Sequence, residues 1–343
     1  LKNENGRLPL SGKKNIALIG PMVTNQEDLL GWWWGHGMAE DVCPILEAVK
    51  QEFKDKAQVR YAEGCDIEGT HREGIEQAVE AARQADVVVV CLGEIRRWSG
   101  ENAPMASISL PAVQEELLAE VKKAGKPIVL ALSAGRPLDL SRLEPLADAI
   151  VMMWQPGIPG GKPMAGILSG RINPSGRLSI TFPRTAAQIP IYYNRRPASR
   201  FAPLGHYRDM PSTPLYEFGH GLSYTTYTYG ELRTAPNAAI PVTLRKNEEV
   251  TLEIPVTNTG NREGMETVMW FVNDPSCTVS RPVKELKHFE KQLLKPAETR
   301  MFRFVVNPQR DLSYRDEDGN RILETGDYYI MVKDKRIKLM LTD

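Results

Sequence analysis

The 343-residue sequence lacks several features that would mark particular classes of protein. No apolar stretch approaches the roughly 20 residues that span a bilayer, so we expect no membrane insertion. Lysines plus arginines equal aspartates plus glutamates at 43 each, which gives no indication of a nucleic acid as partner. The 4 cysteines have no CxxC spacing and the 5 histidines no HExxH spacing, so we expect no metal site and no other cofactor.

Motifs for binding nucleotides are also missing. Residues 157–163 (GIPGGKP) differ from a phosphate-binding loop, because Pro163 follows Lys162 where a serine or threonine would bind magnesium. The strand predicted at residues 15–19 ends in Gly-Pro-Met and not in the GxGxxG pattern that binds dinucleotides. A nucleotide-binding α/β protein therefore stays open only as a third hypothesis.

Two kinds of apolar periodicity divide the chain. From residue 14 to about residue 183, strands are predicted at 15–19, 58–62, 86–92, 127–132, 149–153 and 178–181, with helices at 41–53, 74–84, 111–124 and 160–168. This alternation predicts an α/β domain with a mainly parallel six-stranded sheet covered by helices on both faces. After residue 227 the period becomes two, with strands at 250–256, 267–272, 301–306 and 328–332. The second pattern predicts an all-β, antiparallel sandwich of fibronectin type III kind.

The loop after the predicted strand 86–92 carries the residues that most suggest chemistry. Its valine-rich run is typical of a strand buried on both faces, and open α/β sheets place their chemistry in loops at the carboxyl edge. The loop holds two carboxylates, Glu94 and Glu101, with Trp98 between them. A carboxyl group beside a tryptophan can be kept protonated by partial desolvation, as a general acid requires. Either glutamate could equally be a solvated loop residue.

Eight short motifs occur in an order that resembles the C-terminal half of glycoside hydrolase family 3 enzymes, which include many bacterial and fungal β-glucosidases and β-xylosidases. They lie at residues 15–21 (NIALIGP), 30–37 (LGWWWGHG), 99–101 (SGE, before Leu-Pro), 155–161 (QPGIPGG), 173–183 (NPSGRLSITFP), 188–194 (QIPIYYN), 218–225 (FGHGLSYT) and 281–290 (RPVKELKHFE). The resemblance implies an (α/β)6 sandwich and a fibronectin type III-like domain, preceded in the family by a (β/α)8-like barrel. The predicted divisions are a connector from that barrel (1–13), the (α/β)6 domain (14–198), a linker (199–226) and the fibronectin type III-like domain (227–343).

The resemblance also suggests roles for particular residues. Glu101 stands where the family has its catalytic acid/base, and Glu94 is the rival candidate. Trp33 aligns with a tryptophan that clamps the aglycone sugar in relatives, and Trp34 and Trp98 are further candidates for substrate contact. The alternative for these aromatic residues is packing between domains.

One departure from the family pattern lies just beyond Glu101. Met105 and Ser107 stand where many relatives have an arginine and an aspartate, which puts in doubt the anchoring of this loop and the aglycone preference. The nucleophile of the family is an aspartate of the barrel. The barrel also builds most of the glycone pocket, so the sequence predicts no sugar specificity.

The function implied by the resemblance is the acid/base-bearing part of a retaining exo-β-glycosidase, of β-glucosidase or β-xylosidase type, inactive without the barrel. The expected partners are an oligosaccharide or β-glycoside substrate and the barrel of the same polypeptide. The alternative is a non-catalytic carbohydrate-binding or scaffolding module. A signal peptide upstream of residue 1 would place the parent protein in the periplasm or outside the cell.

Overall fold

The computed structural model describes residues 1–197, 207–236 and 242–343, and the chain divides into two compact units. The first unit comprises Leu1–Pro174, Ile180–Pro190 and Thr213–Leu222, and the second comprises Ser175–Ser179, Ile191–Ser212 and Ser223–Asp343. The domain limits predicted after residues 13 and 226 stay predictions. The limit predicted after residue 198 lies outside the described residues.

The first unit is an α/β structure. Its strands are β1 (Lys2–Asn3), β2 (Asn15–Ile19), β3 (Gln58–Ala62), β4 (Val87–Gly93), β5 (Ile128–Ser133) and β6 (Ala149–Met152). Its helices are α1 (Glu27–Leu30), α2 (Ile45–Glu52), α3 (Ile75–Arg83), α4 (Ala112–Lys122) and α5 (Gly161–Ser169), with short 3-10 turns at Glu4–Gly6, Ala39–Asp41, Arg96–Trp98, Glu144–Leu146 and Ala186–Gln188.

The strands form one six-stranded sheet in the order β1-β6-β5-β4-β2-β3. Strands β2 to β6 are parallel, whereas β1 joins the edge antiparallel to β6. The predicted mainly parallel sheet is confirmed. Its sixth strand is not the predicted segment 178–181, and Phe182 makes only an isolated bridge to Tyr216. Leu178 and Thr181 are buried whereas Ser179 and Ile180 are exposed, and a strand covered on both faces would bury all four residues.

Burial of the central strands explains why this part of the sequence forms a parallel sheet. Every residue of β4 and of β5 is buried, as expected for β-branched and aliphatic runs covered by helices on both faces. Helix α4 begins after Pro111 and buries Val113, Leu117 and Val121, whose spacing of four residues places them on one helix face.

The strand order creates a switch point between β2 and β4. The chain leaves β2 for β3 on one side and then returns past β2 to form β4 on the other side. At such a point the loops that follow the two strands diverge and leave a crevice at the carboxyl edge, where open α/β sheets bind their ligands.

The second unit is a β-sandwich. Its strands are β7 (Tyr227–Tyr229), β8 (Arg233–Thr234), β9 (Val242–Arg245), β10 (Val250–Asn258), β11 (Gly264–Asn273), β12 (Glu285–Leu294), β13 (Thr299–Val306), β14 (Tyr314–Arg315), β15 (Arg321–Ile322), β16 (Gly326–Val332) and β17 (Lys335–Thr342), and a π-helical turn spans Pro308–Leu312. One sheet has the order β13-β10-β7 with β8 also paired to β10, and the other has the order β12-β11-β16-β17-β9. The buried core includes Trp270, Phe302 and Tyr328. The predicted second, all-β fold is confirmed.

Within the described parts of the chain, no helix is both long enough and apolar enough to span a bilayer.

Candidate active site at the carboxyl edge of the parallel sheet

The loops that follow β2 and β4 are joined at the switch point by Arg96. Its backbone N–H donates to Asp28 Oδ1 at 2.7 Å. Its guanidinium pairs with the Glu27 carboxylate and lies over the Trp34 ring, with Cζ 4.2 Å from the ring centroid. One arginine therefore connects the acid-bearing loop after β4 to the tryptophan-bearing loop after β2.

The three consecutive tryptophans have different surroundings. Trp32 and Trp34 pack edge to face with ring centroids 5.7 Å apart, and Trp34 is 37% exposed. Trp33 is 72% exposed. Trp98 is half-buried in the 3-10 turn of the other loop. Because the Arg96 guanidinium lies over the Trp34 ring, Trp33 is the better placed of these side chains to stack on a sugar ring.

Glu101 is exposed and lies in a tight turn that packs against Trp32. The preceding Gly100 has φ +94°, and a Cβ atom there would lie 2.2 Å from Trp32 Cδ1, so no other residue fits without displacing the turn. The following Asn102 also has positive φ, at +59°. This geometry presents the Glu101 carboxyl at the surface of the carboxyl edge, where it is accessible to a substrate.

Glu94 has a different environment from Glu101. Its side chain is only 3% exposed, and its Oε2 accepts a hydrogen bond from Arg136 Nε at 3.2 Å. Burial raises the pKa of the Glu94 carboxyl, and the positive charge of Arg136 only partly opposes that rise. The Glu94 backbone N–H donates to Ser133 O at 2.9 Å, which extends the pairing of β4 and β5 by one residue. Glu94 can therefore stabilise the edge of the sheet, but its carboxyl group is not accessible to a substrate as that of Glu101 is.

Several residues at this edge were not singled out from the sequence. Arg136 lies three residues after the end of β5, and its position after a predicted strand was the available signal. Gln114 is fully buried on α4, and its side-chain amide bonds both backbone groups of Gly93 at the end of β4. Gln155, after β6, donates from Nε2 to Ser99 Oγ at 2.8 Å. A polar residue on the apolar face of a helix could have identified Gln114, whereas nothing local marked Gln155.

No group of three or more histidine, cysteine, aspartate or glutamate side chains in the described residues is arranged to hold a metal ion.

Comparison with known families and proteins identifies the domains of this chain. Residues 1–224 match the model of the glycosyl hydrolase family 3 C-terminal domain, and residues 266–336 match a fibronectin type III-like domain. The chain is 36% identical over 369 aligned residues to a periplasmic β-glucosidase of Salmonella typhimurium, covering 98% of this chain and 47% of the relative. It is 34% identical to a β-xylosidase of Formosa agariphila, covering 97% and 46% respectively.

The structural comparison gives the same result. A β-glucosidase from Listeria innocua in complex with glucose superposes with a TM-score of 0.90 at 32% identity, covering 100% of this chain and 48% of that one. The chain thus spans about half the length of the relatives that it matches. The resemblance inferred from the eight motifs is confirmed: the chain belongs to the glycosyl hydrolase family 3 C-terminal domain family and carries a fibronectin type III-like domain after it.

Proposed function

We propose that this chain is the acid/base-bearing part of a retaining exo-β-glycosidase that removes terminal β-linked sugars from β-glucosides or β-xylosides. The observation that carries the proposal is the exposed Glu101 carboxyl on the switch-point edge of a glycosyl hydrolase family 3 domain. The exposed Trp33 on the neighbouring loop supports it, since an indole face can pack on the apolar face of a sugar. Similarity to a β-glucosidase and a β-xylosidase supports the class of substrate.

In the proposed mechanism Glu101 acts twice. It first protonates the glycosidic oxygen as the bond to the leaving group breaks, and it then removes a proton from the water that releases the sugar. Retaining hydrolysis needs a second carboxylate as nucleophile, about 5–5.5 Å from the first. We assign that nucleophile to an aspartate of a barrel that precedes this chain in one polypeptide.

This assignment predicts that the 343-residue chain alone hydrolyses no glycoside. The measurement is release of a nitrophenol from an aryl β-glucoside by the purified chain, beside the polypeptide that also contains the barrel. Turnover by the isolated chain at a rate proportional to its concentration through successive purification steps would refute the need for a second carboxylate.

Glu101→Gln in the polypeptide that contains the barrel tests the role of the acid. We expect kcat/KM for substrates with poor leaving groups to fall by about 10²–10⁴-fold, which is the usual contribution of general acid–base catalysis. Aryl glycosides of acidic phenols should lose much less in the first step, because their leaving groups need little protonation. Azide should partly restore turnover, because it attacks the glycosyl-enzyme without help from a base.

Two matched variants complete this experiment. Glu40→Gln makes the same change at an exposed glutamate of the first unit and should leave the leaving-group dependence unaltered. Glu94→Gln tests the rival carboxylate. If Glu101→Gln slows all substrates equally without azide rescue, and Glu94→Gln shows the expected pattern, the acid/base is Glu94.

A non-catalytic carbohydrate-binding or scaffolding module is the second candidate. It is favoured by the exposed Trp33, which is 72% open to solvent and whose indole could bind a sugar without any catalysis. The reading frame upstream of residue 1 separates the two functions: about 400 residues that end in a barrel pattern support the enzyme, and their absence supports the module.

We further propose that the parent protein is periplasmic or secreted, since one similar protein is a periplasmic β-glucosidase. Detection of a cleavable signal peptide upstream, or cell fractionation of the parent, tests this location.

A further inference from the structure

A partly buried hydrogen bond connects the acid-bearing loop to the loop after β6. Gln155 Nε2 donates to Ser99 Oγ at 2.8 Å, and Ser99 Oγ in turn donates to Arg96 O at 3.3 Å. Ser99 is buried, with 8% of its surface exposed, although the next two residues along the chain are exposed. The last buried residue before Glu101 is therefore held by a side chain that lies 56 positions away in the sequence.

Two glycines leave room for this hydrogen bond. A Cβ atom on Gly135, after β5, would lie 2.5 Å from Ser99 Oγ. A Cβ atom on Gly31, after β2, would lie 2.8 Å from Gln155 Oε1. The loops that follow β2, β4, β5 and β6 thus converge on one pair of side chains, which we call the Ser99–Gln155 latch.

The backbone before Gln155 is also held in an unusual conformation. Trp154 has φ +57°, a left-handed value that a tryptophan rarely adopts. Its carbonyl oxygen accepts a hydrogen bond from Ser133 Oγ at 2.8 Å. This contact fixes the direction in which the chain leaves β6 and so directs Gln155 toward the acid-bearing loop. Strain of this kind persists only where the surrounding structure enforces it.

The stretch that follows the latch has few other anchors. Among the described residues, 100–107 form no backbone–backbone hydrogen bond to another segment, and the next one in this loop joins Asp139 N–H to Ile108 O. Close packing of Gly100 on Trp32 also restrains the turn. The position of the Glu101 carboxyl therefore depends on Ser99, two residues before it.

We propose that Gln155 and Ser99 are positioning residues, and that their hydrogen bond holds the Ser99-Gly100-Glu101 turn where Glu101 can protonate the leaving group. This inference rests on the proposed role of Glu101 as the acid/base. Proton transfer requires the donor within hydrogen-bond reach of the acceptor, so a displacement of about 1 Å can cost roughly 10²-fold in rate. A role in stability alone would lower the yield of folded protein without changing how kcat/KM depends on the acidity of the leaving group.

The experiment uses three variants of the polypeptide that contains the barrel. Ser99→Ala and Gln155→Ala each remove one half of the hydrogen bond. Gly135→Ala keeps both polar groups and instead places a methyl group against Ser99 Oγ. The matched controls are Ser141→Ala and Gly176→Ala, at an exposed serine and at a glycine whose Cβ would meet no atom within 4 Å.

Two quantities are measured for each variant. The first is kcat/KM for aryl glycosides over a range of leaving-group acidity, with Glu101→Gln assayed in parallel. For each latch variant we expect kcat/KM to fall about 10–100-fold for glycosides with poor leaving groups. For a glycoside that releases dinitrophenolate it should fall less than about 3-fold. The double variant Ser99→Ala/Gln155→Ala should lose little more than either single variant, because both substitutions remove the same bond. The controls should retain the parental dependence.

The second quantity is amide hydrogen exchange of the peptide that contains residues 95–99 in the 343-residue chain, where the N–H groups of Trp98 and Ser99 donate to Ile95 O and Arg96 O. Exchange there should be faster in the latch variants than in the controls.

The outcomes separate this inference from the proposed function. Suppose that Glu101→Gln shows the acid/base pattern. If the latch variants then slow all substrates equally, or if the losses of the two single variants are additive in the double variant, the latch is overturned and the function stands. If exchange in residues 95–99 is unchanged by the latch variants, the latch is likewise overturned. If Glu101→Gln lacks the pattern, the acid/base assignment itself fails, and the positioning role fails with it.

Discussion

Arg136→Met should destabilise the first unit much more than Glu94→Gln, although each substitution removes one half of the same ion pair. The Glu94 side chain is 3% exposed, whereas the Arg136 side chain is 18% exposed. Loss of the arginine leaves a carboxylate buried without a cation, which typically costs about 3–5 kcal/mol. Loss of the carboxylate leaves an arginine that can still donate from Nε to the amide oxygen of a glutamine.

The pKa of Glu94 supports this asymmetry. Burial raises that pKa even with Arg136 present, so desolvation of the carboxylate outweighs its attraction to the guanidinium. A neutral amide avoids this desolvation cost, and we therefore expect Glu94→Gln to change the free energy of unfolding by less than about 1 kcal/mol. Methionine preserves much of the apolar stem of Arg136, so the comparison isolates the charge.

The penalty for Arg136→Met should depend on pH. A carboxyl group whose pKa is higher in the folded state contributes stability below its ordinary pKa of 4.5, and that contribution is lost as the pH rises through the higher value. Removal of Arg136 raises the pKa of Glu94 further. The difference between parent and variant should therefore be small near pH 4.5 and fully developed at pH 7 and above.

The assay is urea unfolding of the 343-residue chain between pH 4.5 and 8, followed by tryptophan fluorescence. Trp270 is the single tryptophan of the second unit, so the signal reports mainly on the first. Adding Glu94→Gln to Arg136→Met should recover most of the lost stability at pH 7. Arg142→Met, at an arginine whose side chain is 78% exposed, is the control. Equal costs for the two single variants, or a penalty that does not change with pH, would refute the reasoning.

Three further predictions concern other parts of the molecule. Gly100→Ala should lower kcat/KM of the barrel-containing polypeptide by roughly 10²-fold, because its methyl group would meet Trp32; retained activity would show that the turn tolerates the shift. Glu266→Ala should destabilise the second unit by about 3–5 kcal/mol in urea unfolding followed by near-UV circular dichroism, because it removes the negative charge facing the Arg177 guanidinium and the acceptor of the Tyr229 hydroxyl; a cost under about 1 kcal/mol would contradict it. Trp33→Ala should raise KM about 5–10-fold, roughly 1–1.4 kcal/mol, with an unchanged urea midpoint, and a lowered midpoint would assign this indole to packing.

The sequence predicted most of the fold because the central strands have an unambiguous pattern. The run from Val87 to Gly93 is apolar throughout, and the structure buries all of it. Strand β12 was not predicted, because a sheet edge leaves much of Glu285–Leu294 in contact with solvent and charged residues obscure its alternation. Strand β1 has only two polar residues, Lys2–Asn3, and its pairing with β6 has no local signal.

The candidate site was predicted in part for a related reason. Glu94, Glu101 and Trp98 follow one recognisable strand, so the sequence places them at the sheet edge. Their partners Arg136 and Gln155 lie in other loops, and only the strand order shows which loops meet. The difference between the two glutamates was also hidden, since only six residues lie between a buried carboxylate and an exposed one.

The exposure of Glu101 and Trp33 bears on how the proposed enzyme must be completed. Acid catalysis and sugar stacking both gain when water is excluded, because electrostatic and apolar contacts are stronger in a closed site. In the first unit alone both side chains are open to solvent. The domain that supplies the nucleophile must then also cover this edge. In the proposed enzyme one barrel meets both needs, because the Ser99–Gln155 latch holds the carboxyl on its turn and the barrel provides the enclosure.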